Sequence, residues 1–506
     1  MIRLGMGCVA LLTLMVSIES AWAKGPRIVK IPAATAAERA QIVKWGVEVI
    51  EVRKDSITVA IPQEGKLQTK VARAAARYPG AEVMVEDADD LFSRFAAQPD
   101  LGAYHNLPEI KDELNGLAGR FPQIASVHSI GKTVEGRDTL ALRITGPDAA
   151  PWGRPVFLFM GAHHAREWIS VEVPLAIGKW LCEGYATDPA VKSLVDAREI
   201  WILPAVNPDG LNYSQTQSKY WRKNRRKNAD GSYGVDPNRN YGYKWGTAGD
   251  SGYPGSDVYR GTEAMSEPET RNVGEFAVAH HLTASISYHS YGDKVMHPWS
   301  YTYDTSPDKE VFSKLAQGMA GLNGYSPIQS SELYPSSGDT DDYLYGTHGA
   351  CSFTYELAQS FIPAESEIPE ICSKNVKAAQ YLLENAAEVF PVLTHTPPAG
   401  AAAGPLPIGA TFDRAHHPDF QPVEVKLIVV SGATAQETVM TPDPANPDQF
   451  TAELALAGAD GQPVEYFFGL KDKDGKLARC PRLSNFSVTA GATPPPTLLM
   501  GPVAGR

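Results

Sequence analysis

His164-Ala165-Arg166-Glu167 sets an imidazole and a carboxylate three residues apart, directly after the apolar run Val156 to Met160 and before the helical pattern Ile169 to Ile177. At a strand-to-helix turn two such side chains can converge on one cation. Alone the pair is a weak signal, since a solvated His and Glu at this spacing are common. Two further residues agree with it. His289 closes the strand-like run Ala284 to Tyr288, and Glu356 closes Cys351 to Tyr355. In open α/β sheets ligands gather beyond the carboxyl ends of the strands, so three separate runs deliver two histidines and two glutamates to one edge. Two His and one carboxylate, with a fourth position left to water, form the donor set of a catalytic zinc rather than of a closed structural one. A core histidine is the ordinary alternative for His289, but Ser290-Tyr291-Gly292 after it reads as a loop.

The elements that must position these residues lie between roughly Tyr104 and Val392, where apolar strands, Glu199 to Leu203 among them, alternate with helical segments. That alternation predicts an α/β fold, a central mixed, mostly parallel sheet flanked by helices. Ahead of it, Arg27 to Pro32, Ala36 to Trp45, Val47 to Val52, Ser56 to Ile61, Leu67 to Arg77 and Ala81 to Val85 follow a β-α-β-β-α-β order. This is the order of a small ferredoxin-like α+β unit. A connector containing Arg94 follows and offers a proteolytic nick site. Beyond the central unit a Pro/Ala/Gly-rich linker is expected over 395–420, densest from Thr396 to Pro405, and then a C-terminal β-sandwich module over 421–492. Its strands are read at Val423 to Val430, Gln449 to Leu454 and Val464 to Leu470, and 493–506 is read as a flexible tail.

Arg3, the apolar stretch Leu4 to Ile18 and Ala21-Trp22-Ala23 have the form of a secretory signal peptide cleaved after Ala23. The apolar stretch is shorter than the roughly 20 residues a spanning helix needs, so a secreted protein, extracellular or periplasmic and without a membrane span, is expected. A formal net charge of -12 over 506 residues argues against a nucleic-acid partner, which needs a clustered positive surface. Cys8 leaves with the signal, while Cys182, Cys351, Cys372 and Cys480 match no zinc or redox spacing. An oxidising compartment allows one or two disulfides among these four, with no pairing readable.

Gly161 to Trp168, His289 and Glu356 resemble the funnelin family of zinc carboxypeptidases, the pancreatic carboxypeptidase A/B type with its secreted bacterial carboxypeptidase T-like members. The resemblance runs through the central unit, 99–394, in family order. It includes Ile130-Gly131-Lys132-Thr133, Glu135-Gly136-Arg137, Asn207-Pro208-Asp209-Gly210, Trp221 to Arg225, Val235 to Asn240, Tyr288 to Tyr291 and Phe353 to Glu356. It implies one zinc held by His164, Glu167 and His289, with Asp236 orienting His164 and Glu356 as general base and acid. It further implies Arg222 as the partner of the developing oxyanion, Asn238 and Arg239 as the clamp on the substrate's terminal carboxylate, Arg166 as an auxiliary anion site and Tyr334 as a mobile cover. Ser290 and Tyr291 fall among the substrate-binding positions. Tyr343 stands where the family commonly has tryptophan and Pro237 where it has a small residue, and neither touches this chemistry.

On the same resemblance, residues 24–98 occupy the place of a prosegment that shields the cleft until an activating protease cuts the connector, and the protein is expected to be a monomeric zymogen acting on peptide or protein C-termini. Asp341, before Asp342-Tyr343, stands where relatives preferring C-terminal Lys and Arg carry an acid, and Glu332 where some bacterial relatives carry a second one. A basic preference is therefore expected, with mixed specificity as the fallback. The alternatives are a γ-glutamyl or peptidoglycan-peptide hydrolase on the same scaffold, and an inactive peptide-binding relative. The Asn238-Arg239 clamp with Tyr334 speaks against the first, and the retained ligands, Arg222 and Glu356 speak against the second.

Overall fold

The computed structural model describes residues 26–63, 68, 71, 77–88, 101–148, 152–398, 405–431, 434–455, 463–482 and 484–489. The signal peptide, the connector around Arg94, most of the helix expected over Leu67 to Arg77 and the tail lie outside these residues.

The N-terminal unit contains β1 (Arg27–Pro32), α1 (Ala36–Val43), β2 (Glu48–Val52), β3 (Ser56–Ile61) and β4 (Glu82–Val85), in sheet order β2-β3-β1-β4. Thr35 starts α1 with a capping box to Glu38, the reciprocal pairing that satisfies two otherwise open backbone donors. Ile31, Ile42, Ile57 and Val59 are fully buried at its centre.

The central sheet has eight strands: β5 (Ala125–Lys132), β6 (Asp138–Thr145), β7 (Val156–Met160), β8 (Glu199–Leu203), β9 (Leu282–Ser290), β10 (Lys294–His297), β11 (Ser326–Gln329) and β12 (Cys351–Leu357). Their order is β11-β10-β12-β9-β7-β8-β6-β5. The middle strands β12, β9, β7 and β8 are mutually parallel, and β10, β6 and β5 add antiparallel pairs outside them. Val-Phe-Leu-Phe-Met in β7 is buried at every position, as a strand covered on both faces requires. Phe157 and Phe159 pack on one side of the sheet, and Leu158 and Met160 on the other.

The flanking helices are α2 (Leu107–Arg120), α3 (Ile169–Gly184), α4 (Pro189–Ala197), α5 (Pro208–Thr216), α6 (Pro268–His280), α7 (Lys309–Asn323), α8 (Ser330–Leu333), α9 (Thr340–His348) and α10 (Ile368–Asn385). β9 and β12 each run past the expected ends, so His289 and Glu356 sit inside the last turns of their strands rather than after them.

The C-terminal sandwich begins earlier than expected. β13 (Leu393–Thr394), β14 (Leu406–Phe412), β18 (Asn446–Leu454) and β17 (Thr441–Asp443) form one sheet. β16 (Thr434–Val439), β15 (Pro422–Ser431), β19 (Pro463–Asp472) and β20 (Leu477–Cys480) form the other, with β21 (Phe486–Thr489) beside β19. The linker placed over 395–420 therefore contains a strand, β14, whose Ile408, Ala410 and Phe412 enter the sandwich core. Cys182, Cys351, Cys372 and Cys480 are all buried free thiols, so none of the disulfides considered is formed. Among the described residues no helix is long and apolar enough to cross a membrane.

Candidate metal centre and substrate cleft

The turn after β7 carries His164 and Glu167 and is fixed from several sides. Ala162 N–H donates to Ser170 Oγ at 3.0 Å, and Ala165 N–H to the Arg222 carbonyl at 2.9 Å. Gly161 is required there, since a Cβ would come within 2.0 Å of the Ser170 carbonyl oxygen. β9, next to β7, brings in His289. His164 Nδ1 and His289 Nδ1 lie 3.0 Å apart, and Glu167 sends one oxygen to each, at 2.7 and 2.9 Å.

On the far side of each ring stands an acceptor: Asp236 Oδ1 at 3.2 Å from His164 Nε2, and Ser287 Oγ at 3.0 Å from His289 Nε2. With the protons on Nε2, two Nδ1 lone pairs and a carboxylate face one point. Lone pairs so close repel each other unless a cation lies between them, and two imidazoles with a carboxylate suit zinc. Burial alone would push Glu167 up, but His164 and His289 outweigh it and hold its carboxyl well below the usual range. His163, next in sequence to His164, is instead a core side chain bonded to Tyr241, Ser287 and Thr340.

β12 runs parallel to β9 in a register that sets Glu356 beside His289. Burial, with Glu167 nearby, raises the Glu356 carboxyl well above its ordinary value. Arg222 is anchored from behind by Asp236, its Nε donating to Oδ2 at 3.0 Å. Burial acts against both charges of this pair. Arg222 nevertheless holds Asp236 well below the carboxylate range, and Asp236 raises the guanidinium in return. Arg239 donates to the Gly249 and Asn238 carbonyls at 3.0 and 2.7 Å, and its Nη2 lies 3.4 Å from the Tyr334 hydroxyl. Ser290 and Tyr291 join the wall, with Ser290 Oγ donating to the Phe361 carbonyl at 3.2 Å.

Thus His164, Glu167, His289, Glu356, Arg222, Asn238, Arg239, Tyr334, Ser290, Tyr291 and Asp341 line a single cleft. Asp341 is 1% exposed and faces in, accepting from Ser300 Oγ at 3.2 Å and Ser330 Oγ at 2.9 Å. Glu332 does not take the cleft position expected for it: it is exposed, its carboxylate caps α8 through Gln329 N–H at 3.0 Å, and it is not part of the cleft wall.

Among the cleft residues that were not anticipated, one meets the catalytic side directly. Glu48, at the start of β2 in the N-terminal unit, is 2% exposed and reaches across to the catalytic side. Its Oε1 accepts from Arg222 Nη1 at 2.8 Å and contacts Arg166 Nη2. Arg166 is itself clamped between the Tyr220 and Phe361 rings, 4.3 and 4.2 Å from their centroids. The only sequence signal for Glu48 was an acid between Val47 and Val49 on a strand.

Comparison with known proteins agrees with this geometry. Residues 110–378 match the zinc carboxypeptidase family. The chain is 33% identical over 404 residues to a zinc carboxypeptidase from Saccharothrix mutabilis subsp. capreolus, covering 72% of this chain and 91% of the relative. It is 34% identical over 283 residues to carboxypeptidase A4 from Mus musculus, covering 53% and 67%. The structure of thrombin activatable fibrinolysis inhibitor superimposes with a TM-score of 0.59 at 26% identity, over 72% of this chain and 99% of that one. With a zinc donor set at the carboxyl edge of its central sheet, the chain belongs to the zinc carboxypeptidase family, metallo-exopeptidases that act on peptides.

Proposed function

We propose that the protein is exported and made as a zymogen, and that once trimmed it releases C-terminal residues from peptides with a preference for Lys and Arg. The observation that carries the catalytic reading is the meeting of His164, Glu167, His289, Glu356 and Arg222 in one cleft. His164, Glu167 and His289 hold the metal, and Asp236 keeps the His164 proton on Nε2. When bound, zinc polarises the scissile carbonyl and lowers the pKa of water towards about 7. Glu356 takes the proton of the attacking water and passes it to the leaving amine. Arg222 faces the carbonyl oxygen as it gains charge, a donor whose loss typically costs about 100-fold to 1000-fold in turnover. Asn238 and Arg239 hold the terminal carboxylate, for which a planar guanidinium is suited because it makes two parallel bonds. Tyr334 closes over the bound residue, and Arg166 supplies a further anion contact.

Asp341 supports the basic preference. A buried carboxylate at the cleft floor, bonded to two hydroxyls but to no cation among the described residues, favours a cationic guest. Glu48 supports the zymogen reading, because its carboxylate engages the two guanidinium groups assigned to the oxyanion and the auxiliary anion site. We assign 1–23 to a signal peptide, 24–98 to the prosegment and 99 to about 392 to the catalytic domain. The sandwich follows to about 492, and a protease cutting near Arg94 activates the chain. Hydrolysis of blocked dipeptides ending in Arg, Lys, Phe, Leu or Glu, before and after trimming, tests the proposal. Equal activity of the intact and trimmed chains contradicts the zymogen, and a preference for Phe contradicts the role of Asp341.

A further inference from the structure

Helix α9 reaches from the floor of the cleft to the C-terminal sandwich. Its first turn carries Asp341, and Thr340 donates through its backbone N–H and Oγ1 to Asn238 Oδ1 at 3.0 and 2.7 Å. At about 1.5 Å per residue, His348 in its last turn lies roughly 12 Å from Thr340. There the helix is gripped by the segment that joins β14 to β15 of the sandwich. His348 Nδ1 bonds Asp419 Oδ2, with the imidazole only 5% exposed. Gly349, the left-handed C-cap at φ 71°, lies against the backbone of His416, so close that a Cβ would come within 1.8 Å of the His416 carbonyl oxygen. His416 bridges Asp308 Oδ2 at 3.0 Å and Asp413 Oδ2 at 2.7 Å while stacking on Phe390 at 4.2 Å. Asp308 also accepts from the Tyr345 hydroxyl, one turn before His348. The 413–419 segment thus holds Tyr345, through Asp308, together with His348 and Gly349.

A helix this short is not stable in isolation. Its first turn is also loaded: Asp339, Asp341 and Asp342 offer carboxylate oxygens within 4.8 Å of one another, all buried. The helix dipole favours anions at that end, and Ser300 and Tyr301 N–H groups donate to Asp342. Burial and the closeness of the three groups raise Asp339 and Asp342 well above the usual carboxylate range, so gathering these carboxyls in one turn costs free energy that contacts elsewhere on the helix must offset. The far end is therefore where the position of the helix can be fixed without adding anything to the cleft.

We propose that the C-terminal sandwich braces the specificity helix, with Asp419 and His416 as positioning residues that act through His348 and Gly349 to hold Asp341 and the Asn238 contact in the cleft. The proposal rests on Asp341 being the cleft floor. A module that merely spaced the enzyme from a surface would need no such grip on α9.

The test uses the full chain after trimming, with Asp419→Ala and the milder Asp419→Asn, the latter carrying the measurement if the alanine variant does not accumulate folded. Amide hydrogen exchange and the KM and kcat for blocked dipeptides ending in Arg and in Phe are recorded, with zinc content as the check on folding. Exchange over residues 340–349 is expected to rise by about tenfold or more, while α3 is unchanged. KM for the Arg substrate should rise about fivefold with kcat within about twofold, a loss of binding rather than of chemistry. In an Asp341→Ala background the Asp419 change should no longer alter the Arg-to-Phe ratio, because the two then share one effect. Unchanged exchange over 340–349 overturns the brace, as does raised exchange with unaltered KM. If the wild type shows no preference for Arg, the Asp341 reading fails by itself, and exchange of α9 with KM for the best substrate still decides the brace.

Discussion

Replacing Glu48 by Gln in the intact chain removes the charge that joins the N-terminal unit to Arg222 and Arg166 while keeping the side chain's size. Glu48 is 2% exposed, and its Oε1 meets both guanidinium groups. Hydrogen bonds to charged groups contribute about 1.5–3 kcal/mol each, and breaking one side of a buried ion pair costs about 3–5 kcal/mol. Arg222 keeps its Asp236 partner at 2.9 Å, so the loss falls mainly on the contact between the units. Taking about 3 kcal/mol, and tenfold per 1.4 kcal/mol, the fraction of molecules with the cleft uncovered rises roughly 100-fold. The assay is kcat/KM of uncut wild type and uncut Glu48→Gln on one blocked dipeptide, followed by the same comparison after trimming. The uncut variant should be about 100-fold more active than uncut wild type, and the trimmed forms should be equal. An uncut variant as silent as wild type, or a difference that survives trimming, refutes the reasoning.

Glu356→Gln should lose several orders of magnitude in kcat while retaining zinc, measured by single-turnover kinetics and metal analysis, because only proton transfer is removed. Asp341→Ala should reduce the Arg-to-Phe ratio of kcat/KM by about 100-fold or more, because a pocket with a buried polar partner can discriminate by up to about 10⁴-fold or more, well beyond a purely apolar one; an unchanged ratio excludes Asp341 as the determinant. Although burial lowers it, His416 is raised from 6.5 to about 9 by Asp308 and Asp413. Its stabilising charge is therefore fully present below about pH 6.5 and lost as pH rises through about 9, on the order of 3 kcal/mol in all. Thermal unfolding from pH 6 to 10 should show a decline that His416→Gln flattens.

His289 and Glu356 could be read because each lies at the carboxyl end of an uninterrupted apolar strand, and His164 and Glu167 because they follow one; Arg222, Asp236, Asn238 and Arg239 lie outside the strands and came only with the family resemblance. Buried runs such as β7 and β12 are easy to read, and their carboxyl ends fall where chemistry collects. Glu48 was not legible, since its partners lie 118 and 174 positions further along the chain and nothing local marks an acid on an edge strand as buried. β14 was missed because Pro407 and Gly409 interrupt a run whose inward residues, Ile408, Ala410 and Phe412, alternate with exposed or half-exposed ones. Glu332 matches the cleft acid of some relatives only in position, and its three-residue spacing from Gln329 makes it a helix cap. An oxidising compartment permits disulfides, but each of the four cysteines is buried as a free thiol, and burial pushes Cys182 and Cys372 up to about 12.

The central claim is that one zinc, held by His164, Glu167 and His289, is required for release of C-terminal residues. Zinc titration into the trimmed, chelator-stripped chain tests it most directly, with hydrolysis of a blocked dipeptide followed at each addition. Activity should be absent at the start and rise linearly to a plateau at one zinc per chain, and His289→Ala should neither bind zinc tightly nor recover activity. Full activity in the stripped protein, or a plateau reached equally by His289→Ala, contradicts the account.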